Sequence, residues 1–303
     1  MKKVLALALS IIMIFAAAIP AFAAYETPFE DSRFFEYGEY SIHYRKWDAE
    51  NPKGQIFMIH GFALSSYCWT KLAERLVANG YTCVMADLPD FGYSTRETAG
   101  MEKLLREDIM HALMTELSSE PWYLAGHSMG GFVAESIYDK YPESVNNLLL
   151  YGTSGNITSP SMAKIMGNDI FVALVGPLMQ LMTRFDFLVK MFLRVALADN
   201  DYAADYDISK ITEPLRINGT GKGACYNFSM LTGTNFESIK NGSPILYVNG
   251  SEDSVISSSA QDEFREYLPE GSVDYIVDGG GHMFIENKAD EVAEVTLKFL
   301  AEN

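Results

Sequence analysis

A serine flanked by glycines is the part of this sequence whose residue types most directly suggest chemistry. Residues 126–130 read Gly-His-Ser-Met-Gly and match the pattern G-x-S-x-G, with Ser128 at its centre. The apolar run 121–125 predicts a short buried strand, and residues 131–141 predict a helix that ends before Pro142. In a sharp strand–turn–helix connection, glycine neighbours leave the serine oxygen exposed at the tip. The pattern therefore indicates a nucleophilic serine.

A serine hydroxyl is a weak nucleophile near neutral pH, so a neighbouring base has to accept its proton. Histidine suits this role because its unperturbed pKa is about 6.5. The sequence offers five histidines: His43, His60, His111, His127 and His282. The last of them follows three consecutive glycines, whose conformational freedom would let an imidazole reach across the edge of a sheet. A buried carboxylate would then be needed to hold the base in one tautomer and to offset its positive charge.

Short apolar runs alternate with helical patterns along most of the chain, which is typical of βαβ units. We therefore predict an α/β fold with a mostly parallel central sheet of about eight strands and helices on both faces. Residues 101–117 are predicted to be one helix, because their leucines and isoleucine recur at helical spacing. Strand patterns stop in residues 155–235, which are predicted to be a helical cap inserted over the active edge of the sheet. Residues 24–154 and 236–303 then form the predicted core domain.

The first 23 residues have the features of a signal peptide rather than of a folded element. Lys2 and Lys3 supply a positive start, residues 4–19 are apolar, and Ala21-Phe22-Ala23 is a small-x-small cleavage signal. Cleavage is expected after Ala23, and an uncleaved anchor is the alternative. The protein is accordingly expected to be exported and to have no stable membrane span after cleavage.

The net charge and the cysteine content of the chain restrict which partners, disulfides and cofactors we expect. The chain has 303 residues and a formal net charge of −17, so its net charge is not expected to attract nucleic acid or an anionic membrane. Of the three cysteines, Cys83 is predicted to be a buried free thiol. For Cys68 and Cys225 the sequence leaves two alternatives, a disulfide between them or two free thiols. No spacing of cysteines or histidines predicts a metal site. We expect neither a metal nor an organic cofactor.

Five separate motifs occur in one order along the chain. They are His60-Gly61-Phe62, the loop 87–94 (Asp-Leu-Pro-Asp-Phe-Gly-Tyr-Ser), residues 126–131, residues 250–253 (Gly-Ser-Glu-Asp) and Gly281-His282. In these motifs, and in the order Ser, Asp, His, the sequence resembles the α/β-hydrolase family over nearly the whole mature chain. One departure is Asp90, where the family's loop usually carries glycine. The loop 87–94 is expected to serve packing and to have no chemical role.

The resemblance implies a serine hydrolase of the esterase or lipase type. It assigns Ser128 as the nucleophile and His282 as the base. Asp253 lies at the family's position for the carboxylate, and Glu252 is the neighbouring alternative. The four remaining histidines are expected to have structural roles.

The same resemblance implies an oxyanion hole. Attack on a carbonyl carbon creates a negatively charged oxygen, which two backbone N–H groups usually hold. By resemblance these groups belong to Phe62 and Met129. The second of them also begins the helix after the serine, whose N-terminal partial positive charge favours an anion.

The methionine-rich insertion is the best indication of substrate. Methionine adapts to ligands of varied shape, so these side chains could line an apolar acyl pocket, but they could equally pack the insertion's own core. The pocket candidates are Met162, Met166, Met179 and Met182. The expected substrate is a small-molecule carboxylic ester with an apolar acyl group, which could be lipid-derived. Alternatives are an amidase, a peptidase, a carbon–carbon bond hydrolase or a perhydrolase on the same residues, or a non-catalytic binding protein.

Overall fold

A twisted sheet of parallel and antiparallel strands organises the part of the chain that the structure describes, residues 28–97, 101–155, 160–230 and 234–303. The structure is a computed structural model. Its strands are β1 Ser32–Tyr37, β2 Tyr40–Trp47, β3 Gly54–Ile59, β4 Tyr81–Ala86, β5 Trp122–His127, β6 Val145–Tyr151, β7 Leu246–Gly250 and β8 Val273–Val277.

The eight strands lie in the order β1-β2-β4-β3-β5-β6-β7-β8. β2 pairs antiparallel with both β1 and β4, and every other neighbouring pair is parallel. Parallel strands need crossover connections, which the intervening helices supply. The predicted α/β fold with a mostly parallel sheet of about eight strands is therefore confirmed.

Helices connect most of the strands and cover the sheet. They are α1 Thr70–Ala78, α2 Arg106–Leu117, α3 Met129–Lys140, α4 Pro160–Met166, α5 Asp169–Met182, α6 Asp186–Leu197, α7 Asn200–Asp205, α8 Ser209–Leu215, α9 Thr220–Met230, α10 Phe236–Lys240, α11 Ser258–Arg265, α12 Phe284–Asn287 and α13 Ala289–Glu302. Short 3₁₀ turns at Ser66–Trp69 and Pro142–Ser144 precede α1 and β6.

The inner strands of the sheet are buried on both faces. All residues of β4 and β7 are buried, so their side chains need apolar partners above and below. Alternate residues of β3 enter two different core clusters, Met58 with α1 and α13, and Phe57 with α2 and α3. Helices on both faces thus follow directly from strands that are apolar throughout.

The helix predicted for residues 101–117 begins five residues later than expected. α2 starts at Arg106, and Leu105 has an extended backbone with ψ of 139°. The Tyr40 hydroxyl donates to the Glu102 carbonyl at 2.8 Å and accepts from the Leu104 N–H at 3.1 Å. These bonds to β2 engage backbone groups that a helix would need, so the helical spacing of the leucines was misleading at this end.

The stretch between β6 and β7 consists of helices α4 to α10, with no strand among its described residues. Buried polar contacts join it to the loop that follows β4. The Arg96 guanidinium donates to the Pro214 carbonyl at 2.8 Å and to the Thr220 hydroxyl at 2.9 Å. Nε of Arg106 donates to the Asn227 side chain at 3.0 Å. Helices α8 and α9 are therefore fixed to the sheet's loop by charged hydrogen bonds.

Asp31–Asn303 form one compact unit, whereas the predicted signal peptide, residues 1–23, lies outside the described residues.

The three cysteines, Cys68, Cys83 and Cys225, are all buried free thiols. This confirms the prediction for Cys83, and it shows that Cys68 and Cys225, for which the sequence left two alternatives, form no disulfide. Burial raises the pKa of the Cys68 and Cys83 thiols, so both stay protonated.

In the described ranges, no single helix has the length and apolar composition needed to cross a bilayer. Helices α5 and α6 meet those criteria only when taken together, and they are bent by 88° relative to each other.

Candidate active site

Ser128 occupies a strained turn between the end of β5 and the start of α3. Its backbone has φ of 52° and ψ of −119°, which is rare for a residue with a side chain. A Cβ on Gly126 would lie 2.5 Å from the Gly130 carbonyl oxygen, and one on Gly130 would lie 2.1 Å from the Ile59 oxygen. Neither position has room for a larger residue, which explains the two glycines of the motif.

Backbone hydrogen bonds hold this turn at the carboxyl end of the sheet. The Ser128 N–H donates to the Tyr151 carbonyl of β6 at 2.9 Å, and the Gly131 N–H donates back to the Ser128 carbonyl at 2.9 Å. A residue strained at a positive φ persists only where its surroundings fix it, as they do here. The carboxyl end of parallel strands is also where ligands usually bind in open α/β sheets.

His282 and Asp253 come together from different loops. Nδ1 of His282 donates to Oδ2 of Asp253 at 2.8 Å, and the Asp253 side chain is fully buried. Its second oxygen accepts from the N–H groups of Val255 and Ile256 at 2.8 and 3.0 Å. Glu252 is exposed, so of the two neighbouring carboxylates it is Asp253 that contacts the imidazole.

The pKa of Asp253 reflects these contacts. Burial acts to raise it, but the hydrogen bond and charge of His282, together with the two backbone N–H groups, lower the pKa below its ordinary value. The carboxylate therefore stays ionised at neutral pH and can stabilise a protonated imidazole.

The neighbours of His282 are also the neighbours of Ser128. His127, adjacent to the serine, donates from Nε2 to the His282 carbonyl at 2.8 Å, and the two imidazole rings are 4.9 Å apart. A Cβ on Gly152 would lie 3.5 Å from Nδ1 of His282, and Gly152 directly follows the residue that binds the Ser128 N–H. The structure thus brings the predicted nucleophile and the predicted base into one neighbourhood.

The loop after β3, residues 60–62 and here called the early loop, also contacts the serine turn. A Cβ on Gly61 would lie 3.1 Å from the Ser128 Cβ and 2.7 Å from Nδ1 of His127, so the backbone here touches the nucleophile turn. Phe62 follows in the same turn, and its ring packs 4.3 Å from that of Phe228 on α9.

Met129 is the first residue of α3, so its N–H has no partner within the helix. Its side chain is buried in the core. Both backbone groups predicted to bind an oxyanion, those of Phe62 and Met129, therefore lie in segments next to Ser128.

Each of the other four histidines, for which structural roles are expected, has hydrogen-bonding or packing contacts of its own. Burial and the nearby His282 lower the pKa of His127 to about 3, which keeps its ring neutral. His60 is buried, donates to the Gly61 carbonyl and accepts from the Leu88 N–H. His43 contacts the buried Asp87 at 2.7 Å, and His111 stacks on Tyr141.

The loop 87–94 has a larger role than packing alone. Asp87 accepts from the Ser66 N–H at 2.5 Å and from the Tyr93 N–H at 2.8 Å, so it ties two loops together. Asp90 has φ of 72°, a conformation that aspartate tolerates better than most residues and that glycine favours. This is how the chain accommodates the departure from the family's glycine.

The Asp90 carboxylate is part of a buried ion-pair cluster that the sequence analysis missed. Arg106 bonds Asp90 at 2.9 Å and Glu97 at 2.7 Å, and all three side chains are almost inaccessible. Burial, opposed by Arg106, raises the pKa of Asp90 to about 6. The departure at Asp90 was the only signal in the sequence, and it did not reveal the arginine.

The four methionines predicted for the pocket do not share one environment. Met162 and Met182 expose 50% and 48% of their surface, whereas Met166 and Met179 are partly buried. Met179 packs against the core cluster that also contains Phe62 and Met129, with its sulfur 3.7 Å from Sγ of Cys225. Among the residues described, no group of three or more His, Cys, Asp or Glu side chains is arranged to hold a metal ion.

Comparison with known proteins identifies the family. The chain is similar to Abhydrolase domain-containing protein abhd-5.2 of Caenorhabditis elegans, at 35% identity over 129 residues, 39% of this chain and 28% of that protein. It is similar to Lipase 3 of Moraxella sp. (strain TA144), at 31% identity over 112 residues, 36% of this chain and 35% of that protein. The chain therefore spans about a third of the length of these relatives.

A solved structure matches over a longer range. The thermophilic esterase of Thermogutta terrifontis superposes with a TM-score of 0.68 at 20% identity, over 86% of this chain and 94% of that one. Identity at this level shows a shared fold and no more. The family model for the alpha/beta hydrolase fold matches residues 55–289, which include the nucleophile turn, Asp253 and His282. By this match over most of its length, the chain belongs to the α/β-hydrolase family.

Proposed function

We propose that the protein is an exported serine hydrolase that cleaves carboxylic esters with apolar acyl groups. The observation that carries the proposal is the hydrogen bond from His282 to the buried Asp253, made in the same neighbourhood as the strained turn of Ser128. A strained serine beside an oriented imidazole is the arrangement that activates a hydroxyl for attack.

In the proposed acylation step, Oγ of Ser128 attacks the ester carbonyl carbon while its proton moves to Nε2 of His282. Nδ1 is already engaged by Asp253, so Nε2 is the nitrogen left to accept a proton. The imidazolium then gives this proton to the departing alcohol oxygen as the carbon–oxygen bond breaks. The acyl group remains on Ser128 as an ester.

In the second step a water molecule attacks the acyl-enzyme, and His282 again accepts the proton. Collapse of the tetrahedral intermediate releases the carboxylic acid and returns the proton to Oγ of Ser128. In both steps the negative oxygen would accept hydrogen bonds from the N–H groups of Met129 and Phe62. Loss of one such donor typically lowers turnover by about 10²- to 10³-fold.

The apolar side chains around the early loop support the proposal of an apolar acyl group. Phe62 packs between Phe91 and Phe228, with Met179 in the same cluster. Such side chains would favour a hydrocarbon over a charged group. Relatives named as a lipase and an esterase lend support to an ester as the substrate class.

The direct test is a series of p-nitrophenyl esters of increasing acyl length, measured with the wild type and with Ser128→Ala. We expect the variant to lose nearly all turnover on every ester. Ser136→Ala is the matched control, because Ser136 lies on α3 and its hydroxyl donates to the Phe132 carbonyl in its own helix. Equal rates for the wild type and Ser128→Ala would overturn the proposal.

A fluorophosphonate probe gives a second readout that does not depend on the choice of ester. We expect labelling of the wild type and of Ser136→Ala, and no labelling of Ser128→Ala. Faster cleavage of p-nitroanilides than of matched esters would retain the nucleophile but reassign the reaction to amide hydrolysis.

A further inference from the structure

Large apolar side chains are exposed mainly on one part of this molecule. In the described residues sixteen of them are exposed, and eleven of the sixteen lie between positions 165 and 195, on and around α5 and α6. Of the other five, Met162 lies one turn before Ile165 on α4, and the remaining four are scattered singly, as is usual for a protein surface. A concentrated apolar surface, in contrast, marks a site of interaction.

Helix α5 exposes a regular stripe. Ile170, Leu174 and Leu178 follow at intervals of four residues, and their exposed fractions are 72%, 69% and 57%. Val172 and Gly176 are buried on the other side, where α5 packs against α9. The exposed stripe is therefore a second apolar face that faces away from the protein's own core.

Helix α6 repeats this pattern. Phe187, Met191 and Val195 are spaced by four residues and expose 66%, 59% and 52%. Leu193 and Ala196 are buried on the opposite side. We call Ile170, Leu174, Leu178, Phe187, Met191 and Val195 the exposed apolar stripe.

Basic residues accompany the exposed apolar stripe. Lys190 and Arg194 each precede a stripe residue on α6 by one position, so they lie along its edge, and both are exposed. Residues 160–197 contain four basic and two acidic side chains, although the whole chain has a formal net charge of −17. One of the two acidic side chains, Asp186, is paired with Arg216. This region is thus locally cationic on an acidic protein.

We propose that the exposed apolar stripe docks onto the surface of an anionic lipid bilayer, with α5 and α6 lying in the plane of the interface. Helices that bind in this way insert an apolar face and place lysine and arginine among the headgroups. The pair is apolar enough for such contact, and its 88° bend suits a surface position rather than a straight crossing. The expectation from net charge concerned the whole molecule and does not describe this local face.

Charge also distinguishes a lipid surface from a second copy of the chain. Two copies meeting through this stripe would bring Lys190 and Arg194 of both copies to one interface, where like charges repel. Anionic headgroups would instead complement them. The proposal concerns binding alone and holds whether or not the protein hydrolyses esters.

Helix α6, which carries half of the exposed apolar stripe, is in direct contact with the loop that contains His282. The Met283 N–H, one residue after the predicted base, donates to the Ala196 carbonyl of α6 at 2.8 Å. A Cβ on Gly281 would lie 2.5 Å from the same carbonyl oxygen, so the loop before His282 rests against this helix. A docked α6 would therefore hold the site near the lipid surface.

Vesicle co-sedimentation of the purified full chain tests the proposal. Vesicles of phosphatidylcholine alone are compared with vesicles of equal parts phosphatidylcholine and phosphatidylglycerol. We expect the wild type to bind the anionic vesicles. The double variant Phe187→Ser/Met191→Ser should bind at least about tenfold more weakly, since two inserted apolar side chains contribute more than the ~1.4 kcal/mol that corresponds to a factor of ten.

Two further variants make the result specific. Lys190→Gln/Arg194→Gln should weaken binding to anionic vesicles about tenfold and have little effect on neutral ones. Ile276→Ser, which alters an exposed apolar residue on β8, is the matched control and should bind like the wild type. Circular dichroism of each variant checks that it is folded.

Three outcomes would overturn the proposal. The first is absence of binding by the folded wild type to both kinds of vesicle. The second is equal binding by the wild type and Phe187→Ser/Met191→Ser, which would assign the binding to another segment such as residues 1–27. The third is a dimer in solution that the same double variant converts to a monomer, which would make the stripe a contact between copies.

Discussion

At the scale of single residues, the proposed hydrolysis depends most on the contact between His282 and Asp253. The carboxylate is buried, is held by two backbone N–H groups, and accepts the Nδ1 proton of the imidazole. This arrangement fixes one tautomer and leaves Nε2 available. A catalytic role of His282 therefore depends on a side chain that need not touch the substrate.

The first prediction concerns this carboxylate. Asp253→Asn keeps the size of the side chain but removes the charge that fixes the tautomer, so kcat for a p-nitrophenyl ester should fall by about 10³- to 10⁴-fold. Glu252→Gln is the matched control, because Glu252 is adjacent and exposed, and its activity should stay near that of the wild type. A large loss in Glu252→Gln together with an active Asp253→Asn would reverse the assignment.

Glu135 on α3 allows a prediction about pH and stability. Its side chain is buried and accepts one hydrogen bond from Thr234, and burial raises its pKa from 4.5 to about 8. Between those two values the folded protein keeps the proton that the unfolded chain has lost. The free energy of unfolding should therefore decrease as pH rises through this range, by up to about 1.4 kcal/mol per pH unit for this one group.

Glu135→Gln removes the titration, so its stability should decline less than that of the wild type between about pH 5 and pH 8. Urea unfolding at both pH values measures the difference. Glu116→Gln, on the exposed side of α2, serves as the control. Identical pH slopes in the wild type and Glu135→Gln would show that Glu135 is ionised in the folded protein.

At the scale of elements, the loop after β4 connects the sheet to the helices between β6 and β7. Asp87 joins this loop to the turn before α1, Arg96 joins it to α8 and α9, and Arg106 joins it to α9. Helices α8 and α9 are therefore held by buried polar contacts, whose strength depends on complete pairing.

Arg106 is the critical member of this connection. Arg106→Met would leave Asp90 and Glu97 as a buried, uncompensated pair of carboxyl groups, so the free energy of unfolding should fall by about 3–5 kcal/mol. Lys140→Met, which breaks the exposed pair with Asp108, should cost no more than about 1 kcal/mol. Urea unfolding of the two variants compares them. Similar small losses would mean that Arg106 contributes little.

At the scale of the whole molecule, charge and apolar surface are distributed unevenly. The chain is strongly acidic, whereas the exposed apolar stripe is accompanied by basic residues. Proposed export would bring this surface to a cell envelope or to the outside of the cell. The net charge of the whole chain therefore gives no indication of this apolar and locally basic surface.

The proposed export predicts where the mature chain begins. If residues 1–23 are a signal peptide, the protein recovered outside the cytoplasm should begin at Ala24, as intact-mass measurement would show. Replacing the small residues at the cleavage site, in Ala21→Leu/Ala23→Leu, should leave the precursor uncleaved. Recovery of wild-type protein that retains residues 1–23 would favour the alternative of an uncleaved anchor.

The sequence was informative wherever a local pattern has a local cause. Gly126 is required by close contacts with the backbone of Gly130 and Gly131 in the same turn, and strands such as β4 are apolar because both faces are covered. Prediction failed where a distant residue intervened. Helical spacing placed the start of α2 too early, because Tyr40 engages the backbone of the preceding segment.

The sequence by itself determined the class of fold, the order of its elements and the serine turn, since periodicity and steric exclusion act between residues that are neighbours in the chain. Only the tertiary structure decided that Asp253 rather than Glu252 contacts His282, and that Arg106 pairs with Asp90 and Glu97. The direction of a side chain and its burial depend on how separate loops pack, and such packing is not encoded in the spacing of residues along the chain.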